Sequence, residues 1–270
     1  MKKLIFFSFF ILLISCKAQT SKKSLFLKVG YLPNNEYHLT QNQNSENIVT
    51  YSGSVEIMNN LKKNGVDNPQ ITKTSSILDS KTSTGNIKDT IFPIEVELLK
   101  SVNEQMKKGT KFYGYSNQNG QIKIDSIYSD NMKDDFKQSL IKSMQDMMNK
   151  SLYPEKEIKI GESFEKRTPL SIPISDVNID FEIFSIYTLK DINNDIGYFD
   201  LKQEYILKST SKDYKIELTG FGNGVMEYDI HKEFFVKFDS EMEMNVKAEL
   251  ENLTIDLISK SVTKQKTEIK

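Results

Sequence analysis

The sequence predicts an α+β fold dominated by β: a long, curved antiparallel sheet or open half-barrel with one amphipathic helix packed on it. Three observations predict it. Several stretches alternate apolar and polar residues with a period of two, as strands with one wet face do. Asn117-Gln118-Asn119-Gly120 separates two β-rich runs, and Asn-Gly is a strong hairpin signal. Only one later stretch, 132–151, carries a helical stripe.

The elements follow in chain order. Ser24 to Gly30 reads as a strand with Leu25, Leu27 and Val29 on one face. Glu36 to Gln43 reads as a second. Residues 44–90 are rich in Asn, Ser, Thr and Lys and admit only short strands, Val49–Val55 and Gln70–Leu78, with loops at Asn64–Pro69 and Ser80–Asn86. Thr90 to Leu99 is a strand whose Pro93 suggests an edge or bulge. Lys111 to Tyr128 is the Asn-Gly hairpin. The helix follows over 132–151, capped by Asp130 or Asn131, with an apolar stripe of Met132, Phe136, Leu140, Met144, Met147 and Met148. Beyond Lys156 the chain returns to strands. The cleanest alternation is Met242, Met244, Val246, Ala248 and Leu250, and its parity flips at Leu253, placing a turn or bulge near Glu251-Asn252. Leu27-Lys28-Val29-Gly30 and Ile158-Lys159-Ile160-Gly161 begin the stretches before and after the helix alike. Residues 24–270 thus read as one β-rich domain, or as halves 24–131 and 152–270 around the helix.

The N-terminus carries an address. After Lys2 and Lys3, Leu4 to Ile14 is almost wholly apolar, about half of the roughly 20 residues that a membrane-spanning helix needs. Leu13-Ile14-Ser15-Cys16 closes it and resembles the lipobox of bacterial lipoproteins. The resemblance implies a signal peptide over 1–15, a diacylglyceryl group on Cys16 and a lipidated tether over 16–23. Two or more acyl chains hold a protein stably at a membrane. Lys17, in place of Asp, points to the outer membrane, and the lack of acidic residues after Cys16 points to its periplasmic face.

A second resemblance covers about residues 110–250. Pro154-Glu155-Lys156-Glu157-Ile158-Lys159-Ile160-Gly161-Glu162-Ser163-Phe164, then Gly220-Phe221-Gly222-Asn223-Gly224 and Tyr228-Asp229, are similar to a pattern in an uncharacterised family of Bacteroidota envelope lipoproteins. Glu162 and Phe164 stand where that pattern has Asp and Trp. The family has no assigned activity, so the resemblance implies an envelope address and a β-rich architecture. At fold level the pattern is similar to the open barrel with helical lid of periplasmic lipoprotein carriers.

Composition narrows the function classes. Loss of Lys2 and Lys3 leaves 34 basic against 37 acidic residues, too balanced for a nucleic-acid partner. Arg167 is the only arginine, so bidentate phosphate recognition is scarce. Cys16 is the only cysteine; no disulfide staples the domain, and no cofactor is implied beyond the covalent lipid.

Motifs with chemical potential have plainer readings. Gly220, Gly222 and Gly224 lack the following helix of a phosphate loop and read as strand glycines. Asp191, Asn193 and Asp195 start like a calcium loop, but Lys202 stands where a bidentate acid belongs, so they read as a hairpin turn. His231 with Asp229 or Glu233 has the spacing of a base and an orienting acid on an extended strand, or sits in a turn. Two histidines and no free thiol speak against zinc, and no catalytic or metal residue is assigned. The expectation is a membrane-anchored, non-enzymatic binding protein. Its sharpest form is an apolar ligand beneath the helix, met by Phe136, Leu140, Met144, Met147 and Met148. An accessory subunit that recruits an envelope protein partner through a strand edge is the first alternative. A hydrolase using His231 is the second.

Overall fold

The computed structural model describes residues 23–102, 106–130, 132–149, 152–174, 177–209 and 215–270. Cys16 and the rest of the signal and tether before Lys23 lie outside them. The chain forms β1 (Ser24–Leu27), β2 (Glu36–Gly53), α1 (Val55–Lys63), β3 (Gln70–Thr84), β4 (Ile91–Ser101), β5 (Lys111–Asn117) and β6 (Ile122–Tyr128). Then come α2 (Asp134–Asn149), β7 (Lys156–Lys159), β8 (Ser163–Ile174), β9 (Val177–Asn193), β10 (Ile196–Ser209), β11 (Lys215–Asp229), β12 (Phe234–Glu249) and β13 (Leu253–Ile269).

Eleven strands make one antiparallel sheet in the order β6-β5-β4-β3-β2-β13-β12-β11-β10-β9-β8. Two up-and-down meanders are therefore joined where the last strand pairs with β2, and the sheet is open, with β6 and β8 as its edges. Short turns favour this route, since neighbours in sequence can pair as hairpins. β1 and β7 form a separate two-stranded ribbon, with Leu25 opposite Ile158. The two similar sequence segments thus both start in this ribbon, though Leu27 pairs with Lys156 and not with Ile158.

One face of the sheet, the inner face, carries the core. On the β8–β12 side the ribbon's Leu25, Leu27 and Ile158 pack with Phe164, Leu189, Phe199, Tyr228 and Phe235. The Tyr228 hydroxyl donates to Lys28 O at 2.6 Å and accepts from Lys28 N–H at 3.2 Å, tying the chain leaving β1 to β11. A second cluster joins Phe181, Tyr205 and Ile216 to Met244, Val246 and Ala248. The third packs Leu140, Ile141 and Met144 of α2, with Met132 before it, on Leu98, Phe112 and Ile127.

Several expectations need correction. The described residues contain two helices: α1 occupies the long connection from β2 to β3, with Ser54 Oγ accepting Ile57 N–H at 3.4 Å as its cap and no fully buried residue. Strands expected at Glu36–Gln43 and Val49–Val55 are one 18-residue strand ending at Gly53. Ser80–Asn86 is not a loop, because β3 runs to Thr84. The first strand ends at Leu27. The helix starts at Asp134, so Met132 packs ahead of it. Asn131, one expected cap, lies outside the described residues, as do Lys150 and Ser151. Pro93 sits inside the sheet opposite Tyr115, yet it lies just past the last β3–β4 pair, Thr84 with Ile94. A local strand end there tolerates its missing N–H.

Candidate functional site

Between α2 and the inner face of β2–β6 lies an apolar cavity of about 280 Å³. Register builds its floor. Thr267 of β13 lies opposite Leu39 of β2, which lies opposite Ser80 of β3, which lies opposite Leu98 of β4. The next row on the same face is Tyr37, Thr82, Val96 and Phe112. Ile122 and Ile124 of β6 extend it toward the helix. Met144 and Met148 close the cavity from α2; a spacing of four residues puts them on one helix face.

An aromatic group walls one end. Tyr31, Tyr37 and Phe234 have centroids 4.7, 5.3 and 5.0 Å apart. Burial pushes the Tyr31 phenol up, against a hydrogen bond with Thr82 that lowers it. Burial likewise raises Tyr37, whose oxygen accepts Leu32 N–H at 2.7 Å. Among the described residues no charged side chain lines the cavity; its polar groups are hydroxyls and backbone, including buried Ser80, Thr82 and Thr267.

The helix is held over the cavity by one residue in particular. Gln145 Nε2 donates to Ile122 O at 2.7 Å, and Ile124 N–H donates to Gln145 Oε1 at 3.0 Å. An amide side chain thus satisfies β6 as a neighbouring strand would. At the other edge, β8 carries Pro169 and Pro173, a composition that blunts an edge against further strands.

Of the residues expected to meet a ligand, Met144 and Met148 line the cavity. Leu140 packs in the core beside it, and Phe136 is 37% exposed. The Met147 side chain and Cys16 lie outside the described residues. Sequence reasoning missed Tyr31, Tyr37, Phe234 and Thr267. Tyr37 and Leu39 share the parity of an expected strand, which was the available signal; Thr267 sits among Lys, Gln and Glu and gave none.

The His231 arrangement does not form. Asp229 ends β11 and its Oδ1 accepts the backbone N–H groups of His231 and Lys232, each at 2.9 Å, so these residues turn instead of extending. His231 is exposed and its Nε2 meets Asp195 Oδ2 at 3.0 Å, while Glu233 pairs with Lys28 at 3.2 Å. Among the described residues, no group of three or more His, Cys, Asp or Glu converges as a metal site. Gly220, Gly222 and Gly224 lie on the inner face of β11, with Tyr205 and Gln203 filling the space beside the first two. The expected turn over Asp191 to Asp195 is shorter: Asp191 to Asn193 end β9, and Asn194 and Asp195, both at positive φ, make the turn into β10.

Beyond the cavity, the inner face carries a polar row in which Lys166, Ser185 and Gln203 are cross-strand neighbours. Gln203 Nε2 donates to Ser185 Oγ at 3.2 Å, and Lys166 Nζ stands 4.3 Å from the Tyr153 ring centroid. Burial brings the Lys166 ammonium down to about 8.

No family model and no curated protein matches this chain. Two solved structures align over most of it. The outer membrane protein OprG from Pseudomonas aeruginosa is 7% identical with a TM-score of 0.21, covering 88% of this chain and 98% of that one. Ail, the attachment invasion locus protein of Yersinia pestis, is 8% identical with a TM-score of 0.14, covering 87% and 99%. Scores this low carry no conclusion about fold or function.

Proposed function

We propose that this chain is a membrane-anchored envelope lipoprotein that binds an apolar ligand in the cavity beneath α2. The cavity carries the reading. A partly open space walled, among the described residues, by aliphatic, aromatic and methionine side chains favours alkyl groups over polar solutes. Its lid is a helix whose Met144 and Met148 can adapt to chains of different shape. The lipobox-like Leu13-Ile14-Ser15-Cys16 supports an anchor on Cys16, and Lys17 supports an outer-membrane address facing the periplasm. Membership of the uncharacterised Bacteroidota lipoprotein family belongs to the same proposal. The accessory-subunit alternative needs an open strand edge, and Gln145 and the β8 prolines weigh against it.

The test is a native mass spectrum of the chain from residue 17, which keeps every described residue, purified without detergent. A discrete adduct that organic extraction removes and that proves to be a lipid is expected. A bare chain before and after extraction, with no uptake of added lipid, contradicts the binding role. The anchor has its own test. The full chain takes up an alkynyl palmitate analogue in cells, and Cys16→Ala abolishes the labelling; labelling that survives Cys16→Ala contradicts it.

A further inference from the structure

We infer that the outer face of the sheet is a second binding site, for a neutral glycan chain, with Phe221 as its stacking platform. This site is independent of the cavity beneath α2. Opposite the core, three shallow depressions of about 610, 330 and 580 Å³ run into one another over β11, β12, β13 and β2. The first two share Asn223, Glu241 and Val262, and the last two share Asp239 and Lys264. They make one open trough along the strands. From Phe221 to Glu227 it follows β11 for roughly 20 Å, at about 3.4 Å per residue. That shape suits a linear polymer better than a compact solute.

The lining selects among polymers. Lys73 pairs with Glu46 at 2.9 Å, Lys260 with Glu243 at 3.2 Å and Lys237 with Glu227 at 3.0 Å. Lys264 and Lys266 offset Asp239 and Glu241, so among the described residues the trough has no net charge. A polyanion or a polycation meets as many like charges there as opposite ones. Each strand beneath the trough is paired on both sides, so an extended peptide has no edge to join. A neutral glycan needs neither. Phe221 is 57% exposed and belongs to none of the three core clusters, and Val225 and Val262 add apolar surface on the same face. The C–H face of a sugar ring is apolar and sheds water against such groups. Hydroxyl partners stand beside them. Glu204 and Glu243 flank Phe221 across the sheet, and the next row sets Asn223, Glu241, Val262, Asn44 and Ser75 side by side. Amides supply both donors and acceptors to ring hydroxyls, and carboxylates accept from them.

Isothermal titration of the chain from residue 17 with cellohexaose, maltohexaose, xylohexaose and mannohexaose tests this. At least one of them binds, and its affinity stays within about twofold from low to high salt, because contacts to a neutral ligand are not screened. Phe221→Ala weakens that binding about tenfold, through lost apolar contact, and Phe221→Tyr keeps it. Asn223→Ala weakens it about three- to tenfold, the worth of one net hydrogen bond. Phe221 and Asn223 are exposed, so both alanine variants keep the circular dichroism of the wild type. No binding of any of the four sugars, or binding that both alanine variants leave unchanged, overturns the inference. Binding of reduced, carboxymethylated lactalbumin, an extended peptide, in place of the sugars overturns it too. Each of these results leaves the cavity reading standing, because that cavity lies on the inner face.

Discussion

Gln145→Leu isolates the attachment of α2 to the sheet. Leucine has a similar size and a good helix propensity, so the substitution leaves the helix itself intact. It removes both hydrogen bonds to β6, those with Ile122 O and Ile124 N–H. β6 is an edge strand, so water reaches the freed groups and the net value of a hydrogen bond applies, about 1 kcal/mol each. The helix therefore loses about 2 kcal/mol of its hold, which is about 30-fold in the opening equilibrium at 1.36 kcal/mol per tenfold. Native-state hydrogen exchange reads this directly. The Ile124 amide exchanges about 30-fold faster in the variant, while amides of β10 and β11, remote in the sheet order, keep their protection. Unchanged protection at Ile124 would refute the reasoning, because it would mean that the amide does not depend on Gln145.

Two further predictions concern the other half of the sheet. Lys166 titrates near 8 in the folded protein against 10.5 in the open chain, so between those values the unfolded state binds more protons and stability rises with pH. Below about pH 8 the burial penalty is fully present. Urea unfolding across this window therefore shows the wild type gaining on Lys166→Met as pH rises, and a pH-independent gap between the two would contradict it. Among the inner-face glycines, Gly224→Ala destabilises more than Gly222→Ala. A Cβ at Gly224 meets Asp239 O at 2.6 Å, which is backbone, whereas at Gly222 it meets Gln203 Oε1 at 2.9 Å, the end of a side chain that can swing away. Melting temperatures in the reverse order would show that local backbone shifts at Gly224 are cheap.

Legibility in the sequence followed burial contrast. Met244, Val246 and Ala248 are buried between polar neighbours, so the period-two pattern on β12 announced its strand and its inward face. The Asn-Gly hairpin was legible because its turn chemistry is local: Asn117 Oδ1 accepts the N–H groups of Asn119 and Gln121, and Gly120 has φ +74°. The middle of β2 was illegible for the opposite reason. Gln41, Gln43, Ser45 and Asn47 face Gln265, Thr263, Ser261 and Ser259 across the β13 pairing, so neither face carries an apolar signal and the strand exists through its ladder hydrogen bonds. α1 hid behind Ser54, which reads as a strand residue unless its capping role is seen. The cavity was half legible. Met144 and Met148 lie on a helical stripe, but the wall opposite them comes from strands distant in sequence.

Methionine methyl NMR tests the binding account most directly. Nine of the ten methionines lie beyond residue 17, and single substitutions to leucine assign their ¹³C-methyl signals. Titration of the chain from residue 17 with 1-octanol shifts the Met144 and Met148 methyls, which line the cavity, and leaves those of Met242 and Met244, which belong to the separate cluster on β12. Shifts at Met242 and Met244 with none at Met144 and Met148 would contradict a ligand site beneath α2.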